Sequence, residues 1–279
     1  MKLRAYAKIN LGLNVVGRRE NGYHDLEMIM VPITFYDELE IDIDDKMSFS
    51  CNKSYVTTNK GNTILTAIDY LREKYGFSEN FRIYLNKHIP TRAGLAGGSA
   101  DGAMTILALN KLLKLNMSDE DKRQAAIAVG SDVYFCLINQ CAKVLGTGDI
   151  VEPFPCKLDP WILLVKPKSG VSTKDSFETI NLNVCDHPDV EVIKKALENA
   201  DYDLLIKSIG NSLEEPSFRL NHEISKIKED LINYGLDTAL MSGSGSTVFG
   251  LSMSEDKIND VMGKMKNKGY FVRKVRIKL

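Results

Sequence analysis

A glycine-rich segment reads Pro90-Thr91-Arg92-Ala93-Gly94-Leu95-Ala96-Gly97-Gly98-Ser99-Ala100-Asp101. It follows a run in which Phe81, Ile83 and Leu85 alternate as in a half-buried strand, and apolar residues at helical spacing come after it. The pattern therefore predicts a loop that leads from a strand into a helix. Glycines let a ligand approach the backbone closely, and the free N–H groups of a helix start attract anions. A nucleotide phosphate fits such a loop, and Ser99 adds a hydroxyl suited to a phosphate-bound cation.

Two other phosphate-binding loops do not match this segment. A P-loop has Lys and then Ser or Thr directly after its last glycine, whereas Ser99 follows Gly98 with no lysine between them. A Rossmann turn has the pattern Gly-x-Gly-x-x-Gly, and these glycines do not have that spacing. On the glycines alone, an ordinary loop before a helix remains the alternative.

Composition narrows the class of protein. The chain has 279 residues with 36 basic and 37 acidic side chains, which favours one large domain or two closely associated ones and disfavours a nucleic-acid partner held by a strong basic field. The longest apolar run, residues 133–138, is far shorter than the ~20 residues that span a bilayer. No secretory signal is recognisable, and the five cysteines include no Cys-x-x-Cys pair. We therefore expect a cytoplasmic protein with reduced thiols, no structural zinc and no membrane partner.

Periodicity predicts an α+β chain. Strands are expected at residues 3–16, 28–35, 39–43, 81–85, 161–165, 247–251 and 271–277. Helices are expected at residues 63–75, 100–115, 118–129, 132–138, 188–199, 202–209, 222–234 and 255–268. A proline-rich stretch at residues 153–160 breaks the pattern, so we predict two domains, residues 1–155 and 156–279.

The first predicted strand has one polar face. Side chains alternate along a strand, so Lys8, Asn10, Gly12 and Asn14 share a face opposite an apolar one. This face lines a polar cleft in one interpretation and is a solvated sheet surface in the other.

Three further motifs have both a functional and an ordinary interpretation. Asp132 begins an apolar helix, where it either interacts with the helix dipole or accepts a substrate proton beside a cation such as Lys8. Tyr23 and His24 are predicted to lie in a loop, where they can stack on a base and hydrogen-bond its edge or serve no such role. The second glycine loop, residues 241–246, leads into a strand and by itself indicates a tight turn.

Taken together, these motifs resemble those of the GHMP superfamily, whose members are galactokinase, homoserine kinase, mevalonate kinase and phosphomevalonate kinase. The resemblance runs from Ala5 to about Ser252 and depends on the order of five segments. They are Ala7-Lys8-Ile9-Asn10-Leu11, Gly22-Tyr23-His24-Asp25-Leu26-Glu27, residues 90–101, Gly130-Ser131-Asp132-Val133 and Ser242-Gly243-Ser244-Gly245-Ser246. It implies a two-domain α+β fold, with an N-terminal α/β domain like domain 2 of ribosomal protein S5 and a C-terminal ferredoxin-like domain.

The resemblance also implies a site. Residues 90–100 would form the ATP phosphate loop, with Asn62 and Lys87 near the nucleotide and Ser99 near Mg²⁺. Lys8 and Asp132 match the catalytic pair of the family. The substrate residues implied are Asn10, Tyr23, His24, Thr173, Phe177, Gly243, Ser244 and Gly245.

The element at residues 22–24 points to the branch of the superfamily that acts in the non-mevalonate isoprenoid route. There Tyr23 and His24 would hold a cytosine, with Phe177 closing the sandwich, while Asn10 and Thr173 would approach a methylerythritol. The implied reaction is ATP-dependent phosphorylation of the 2-hydroxyl of 4-diphosphocytidyl-2-C-methyl-D-erythritol, by a monomer or homodimer.

Two alternatives remain open. One is another kinase of the superfamily, acting on homoserine or a mevalonate-like alcohol. The other is a catalytically silent nucleotide-binding module. Loss of Lys8 or Asp132 would indicate such a module, and both residues are present. The chain also departs from the family pattern at Asn139-Gln140, where two glycines are common, and at Tyr134.

Overall fold

The computed structural model describes residues 1–279 and contains ten helices and eleven strands. The helices are α1 Thr63–Tyr75, α2 Gly97–Leu112, α3 Asp119–Val129, α4 Val133–Ile138, α5 Thr173–Glu178, α6 Val190–Asn199, α7 Tyr202–Ser208, α8 Glu214–Leu220, α9 His222–Asn233 and α10 Glu255–Asn267. The strands are β1 Lys2–Arg18, β2 His24–Asp44, β3 Ser48–Cys51, β4 Asn80–Asn86, β5 Ala142–Gly146, β6 Ile150–Pro153, β7 Trp161–Lys166, β8 Gly210–Asn211, β9 Thr238–Met241, β10 Val248–Ser252 and β11 Phe271–Val275. None of the helices combines the length and apolar composition that crossing a bilayer requires.

The chain divides into two compact units. Unit 1 contains residues 1–7, 35–91 and 96–139, and unit 2 contains residues 8–34, 92–95 and 140–279. The two long strands β1 and β2 each contribute residues to both units. Compact units therefore do not follow the sequence segments 1–155 and 156–279, and that domain boundary stays a prediction.

Unit 1 combines β3, β4 and parts of β1 and β2 with four helices. β4 pairs antiparallel with the second half of β2 and parallel with β3, and apolar residues such as Ile41 and Ile83 face each other across the first of these pairs. α1 and α2 pack together, and α3 and α4 pack on α2. Their buried residues include Ile64, Ile68 and Ile106. This layer of helices positions the start of α2.

Unit 2 contains a four-stranded antiparallel sheet in the order β11-β7-β10-β9. Numbered by their place in the chain, these strands lie in the order 4-1-3-2, with α9 and α10 packed on the sheet. That order is the ferredoxin-like arrangement, so the fold predicted for the C-terminal part is confirmed. Elsewhere in unit 2, β1 pairs with β8, the first half of β2 pairs with β5, and β5 pairs with β6.

The elements with strong periodicity are confirmed, and α1 and α3 begin and end within one residue of prediction. Asn62 caps α1, and Ser118 forms a capping box on α3, so local sequence fixes both starts. α2 begins three residues earlier than predicted, at Gly97. The two strands predicted at residues 28–35 and 39–43 are parts of the single strand β2, which begins at His24. His24 therefore lies on a strand, not in a loop.

Candidate active site

The start of α2 offers unsatisfied backbone N–H groups. Ala96 occupies the N-cap position in the left-handed conformation, with φ 54° and ψ 28°, and no side chain caps the helix. The first turn contains no acidic residue. The free N–H groups and the helix dipole therefore favour an anion at this position. The predicted geometry, a glycine loop that enters a helix, is the one observed.

Position 97 requires glycine because Lys87 and Ile89 pack closely against it. A Cβ on Gly97 would lie 2.8 Å from Ile89 Cγ2 and 3.0 Å from Lys87 Nζ. Both neighbours belong to the segment that leads into the loop. Any side chain at position 97 would therefore displace the loop or the start of α2.

Asn62 lies close to the loop, but its amide has a structural task. Its Oδ1 accepts a hydrogen bond from Ile64 N at 2.9 Å, and its Nδ2 donates to Thr57 O at 2.7 Å. The next residue, Thr63, donates its hydroxyl hydrogen to Gly98 O at 2.5 Å. The start of α1 is thus joined to the start of α2, and direct contact of Asn62 with a nucleotide stays a prediction.

Lys87 is buried between two carboxylates. Its Nζ lies 2.5 Å from Asp37 Oδ2 and 2.6 Å from Asp101 Oδ2, and all three side chains are at most 4% exposed. Burial raises the pKa of Asp101 to about 7 despite the nearby Lys87 charge. Asp101 Oδ1 is buried without a hydrogen-bond partner. The Lys87 charge is thus balanced inside unit 1, and its contact with a nucleotide stays a prediction.

Sequence reasoning missed Asp37. A signal was present, because Asp37 shares its strand face with Phe35, Leu39 and Ile41, all buried apolar residues. A carboxylate at such an inward-facing position indicates one of two things. Either the strand has been assigned wrongly, or the charge is buried and paired. The structure shows the second case.

Asp132 precedes α4 and is half-buried. It occupies the N-cap position with helical backbone angles, and its carboxylate makes no capping hydrogen bond to α4. The carboxylate therefore does not cap α4 by a hydrogen bond, and its role as a proton acceptor stays a prediction. Asn139 ends α4 in the left-handed conformation, with φ 53°, where glycine is usual and asparagine is tolerated. The departure from glycine at this position is thereby accommodated.

The polar face of β1 is buried within unit 2, so its interpretation as a solvated surface is wrong. Lys8 and Asn10 are 4% and 1% exposed, and Lys8 Nζ donates to Asn10 Oδ1 at 2.6 Å. Asn14 Oδ1 lies 2.8 Å from His187 Nδ1 further along the same face. Lys8 and Asn10 therefore place a hydrogen-bonded ammonium and amide in the interior of unit 2.

The two glycine loops meet inside unit 2. Ser242 Oγ donates to Gly94 O at 2.9 Å and accepts from Asn10 N at 3.3 Å. Lys8 N donates to Leu95 O at 3.1 Å. The second loop therefore does more than turn the chain, because it holds the middle of the first loop against β1. The carbonyls of Met241 and Gly243 are held in turn by the Asn211 amide at 2.8 Å each, a residue that sequence reasoning did not identify.

The remaining residues that were predicted to bind substrate lie around α5 in unit 2. Thr173 Oγ1 lies 2.8 Å from Ser244 Oγ, which ties α5 to the second glycine loop. One turn later, the Phe177 ring stacks on His24 with centroids 5.2 Å apart. The rings contact each other, so no base fits between them in this conformation.

Burial and the charge of Arg18 lower the pKa of His24, which keeps its imidazole neutral near pH 7. Tyr23 is 63% exposed beside it.

A cavity of about 360 Å³ in unit 2 lies next to the second glycine loop. Its lining residues are Asp186, Asn211, Glu214, Glu215, Phe218, Arg219 and His222. Glu214 accepts from Met241 N at 2.9 Å, and its other oxygen lies 2.5 Å from Lys228 Nζ. The cavity therefore lies next to β9, the strand that leads into the second loop. The sequence did not predict a functional role for any of its lining residues.

Comparison with known proteins places this geometry in a family. Family models for the N-terminal and C-terminal domains of GHMP kinases match residues 62–140 and 193–270. A protein of Streptococcus agalactiae serotype Ia, named "Putative 4-diphosphocytidyl-2-C-methyl-D-erythritol kinase", is 42% identical over 276 residues, covering 98% of each chain. The chain belongs to the GHMP kinase family.

Solved structures agree with this assignment. A crystal structure of 4-(cytidine 5'-diphospho)-2C-methyl-D-erythritol kinase matches with a TM-score of 0.84 and 30% identity, covering 100% of both chains. Homoserine kinase from Cytophaga hutchinsonii matches with a TM-score of 0.77 and 19% identity, covering 100% of this chain and 94% of its own. The second match shows the shared fold alone. That residues 90–101 of this GHMP kinase bind the phosphate donor stays a prediction.

Because the two loops are in close contact at Gly94, we expect Gly94→Ala to destabilise the folded protein. Gly94 has φ 71°, and a Cβ there would lie 2.0 Å from Ser242 O. The backbone conformation alone costs an alanine about 1–3 kcal/mol, and the clash adds to that cost. We expect urea denaturation to show a free energy of unfolding lowered by at least this amount.

Gly98→Ala is the matched control. Its added Cβ would have only Thr63 Oγ1 near it, at 3.8 Å, and alanine favours a helix by up to about 1 kcal/mol over glycine. We expect its free energy of unfolding to equal or exceed that of the wild type. Equal stability of the two variants would contradict the structural role of the Gly94–Ser242 contact.

Proposed function

We propose that this GHMP kinase uses ATP to phosphorylate the 2-hydroxyl of 4-diphosphocytidyl-2-C-methyl-D-erythritol. The observation that supports the proposal is the contact between the two glycine loops beside Lys8 and Asn10, because the same hydrogen-bonded region contains the buried Lys8 ammonium and the Ser244–Thr173 pair. The names of the similar proteins support the same substrate. We further propose that the protein acts in the cytoplasm.

The start of α2 would hold the ATP phosphates. Its free N–H groups and dipole provide fixed positive charge, and the absence of an acid in the first turn leaves that charge available to the ligand. Mg²⁺, when bound, neutralises charge on the β- and γ-phosphates. Ser99 would hold it, since a hydroxyl oxygen in the first turn is a suitable hard ligand. Asp101 is already engaged by Lys87 and is not proposed as a metal ligand.

Asp132 and Lys8 would act on the alcohol. In a loose phosphoryl transfer the hydroxyl loses its proton late, so a carboxylate that orients it and then accepts the proton suffices. We assign that task to Asp132. Lys8 would offset the negative charge that develops, and its hydrogen bond to Asn10 fixes the direction of its ammonium group. Positioning and electrostatics then supply the rate.

The aromatic residues would recognise the cytidylyl group. A neutral His24 can donate or accept a hydrogen bond at the base edge, and Tyr23 and Phe177 provide ring faces for stacking. For a base to lie between the two rings, Phe177 must move away from His24. Phe177 is part of the short helix α5. Asn10, Thr173 and the loop residues Gly243, Ser244 and Gly245 would contact the methylerythritol.

The substrate assignment is tested by a comparison of turnover. We expect efficient phosphorylation of 4-diphosphocytidyl-2-C-methyl-D-erythritol and at least a hundredfold lower kcat/KM for the same alcohol without the cytidine diphosphate, because base recognition adds binding energy, at about 1.4 kcal/mol per tenfold. Homoserine and mevalonate serve as further acceptors. Equal rates with and without the cytidylyl group would overturn the assignment, and absence of ADP formation with every acceptor would support a silent nucleotide-binding module instead.

Asp132→Asn is expected to abolish most of the phosphoryl transfer. The amide keeps the shape of the side chain but cannot accept the proton, and general base catalysis contributes about 10²–10⁴-fold to a rate. We expect kcat to fall by that factor while the affinity for ATP changes less than threefold, measured by steady-state kinetics and calorimetry. Asp119→Asn, an exposed change at the start of α3, is the control and retains full activity. Near-normal turnover by Asp132→Asn would remove Asp132 from the mechanism.

His24→Ala is expected to weaken binding of the cytidylyl substrate. Loss of the imidazole removes a hydrogen bond to the base and the ring stacked on Phe177, so we expect KM for that substrate to rise at least tenfold with KM for ATP unchanged. His222→Ala changes an exposed histidine and is the matched control. If His24→Ala instead altered only KM for ATP, the assignment of this segment to the base would be wrong.

A further inference from the structure

Asp37 holds three consecutive residues that precede the phosphate loop. Its Oδ2 lies 2.5 Å from Lys87 Nζ, and its Oδ1 accepts hydrogen bonds from His88 N at 2.5 Å and Ile89 N at 2.8 Å. The carboxylate is 0% exposed. One side chain on β2 therefore fixes the path of the chain into Pro90.

Two of these three residues, Lys87 and Ile89, also lie against the other end of the loop. Lys87 Nζ and Ile89 Cγ2 lie within 3.0 Å of the position that a Cβ on Gly97 would occupy. Lys87 Nζ also reaches Asp101 Oδ2, in the second turn of α2, at 2.6 Å. Thus β2, the segment before the loop and the start of α2 are connected through the Lys87 ammonium.

Stability alone does not explain why buried charges connect β2, the segment before the loop and the start of α2. Buried ion pairs seldom stabilise a fold more than well-packed apolar residues of similar size, because both charges lose their hydration. A loop with three glycines has little stiffness of its own. A set of N–H groups binds a phosphate well only when their positions are fixed before the ligand arrives. A rigid connection beneath the loop supplies that fixing from outside the loop.

We propose that Asp37 is a positioning residue for ATP, which acts through Lys87 to fix the start of α2 under the phosphate loop. This inference depends on the proposed function, since it assumes that the loop binds ATP. Asp37 does not contact the nucleotide in this scheme. Its effect is confined to the placement of the backbone N–H groups at Gly97 and the residues after it.

Asp37→Asn tests the connection. The amide keeps an oxygen that accepts from the backbone N–H groups of His88 and Ile89, but it loses the charge that holds Lys87. We expect the Kd of a non-hydrolysable ATP analogue, measured by calorimetry, and KM for ATP to rise at least tenfold. KM for the alcohol substrate stays within twofold of the wild type. The double variant Asp37→Asn/Lys87→Met is expected to bind ATP no more weakly than Lys87→Met alone, because Asp37 acts through Lys87.

Two controls separate positioning from stability. Asp44→Asn makes the same chemical change at the end of the same strand, away from the loop, and leaves every parameter unchanged. Ile83→Val removes a buried methylene group from β4 and lowers the melting temperature without changing KM for ATP. If Asp37 were merely structural, Asp37→Asn would behave like Ile83→Val, with fewer folded molecules that bind ATP normally, and the proposal would be overturned.

The outcomes also separate this inference from the proposed function. A wild-type protein that does not bind the ATP analogue contradicts the proposed function, and the inference falls with it. A wild type that binds and turns over ATP, with an Asp37→Asn variant of equal affinity, overturns the inference alone. If Asp37→Asn does not fold, Asp101→Asn applies the test at the other partner of Lys87: a selective rise in KM for ATP supports the inference, and an unchanged value overturns it.

Discussion

The close backbone contact between Gly94 and Ser242 is the constraint on which the rest of the site depends. It requires a residue without a Cβ at position 94, because any Cβ there would overlap Ser242 O. The hydrogen bond from Ser242 Oγ to Gly94 O then joins the loops, and Asn10 N donates to the same hydroxyl. Lys8 lies two residues before Asn10 on β1, so this contact also sets the position of the buried ammonium relative to Gly94 and Leu95.

Sequence patterns were sufficient for the parts of the fold whose signal is local. The helices α1 and α3 carry their own caps in Asn62 and Ser118, and apolar residues recur along them at helical spacing. The motifs around Lys8, His24 and Asp132 were recognised by residue type and order. Short strands such as β8, with two residues, have no periodicity to detect, because tertiary pairing with β1 alone makes them strands.

The contacts that assemble the site could not be predicted in this way. Gly94 and Ser242 are 148 positions apart, and the second loop taken alone indicates only a tight turn. The polar face of β1 has the same pattern whether water or protein covers it, so burial of Lys8 and Asn10 depends on what packs there. Asp37 could be found only by asking why a carboxylate occupies an inward register position. Its hydrogen-bond partners are Lys87, His88 and Ile89, which follow β4 and lie at least 50 positions away in sequence.

The charges near α2 explain how an acidic residue is tolerated beside an anion site. An unbalanced carboxylate at Asp101 would oppose the attraction that the helix start exerts on a phosphate. Lys87 lies against Asp101, and burial raises the pKa of that carboxyl, so Asp101 repels a nearby anion less than an unpaired, solvent-exposed carboxylate would. In the proposed function, the Lys87 ammonium would then aid the phosphate loop indirectly, because it offsets a repulsion that Asp101 would otherwise exert from the second turn of α2.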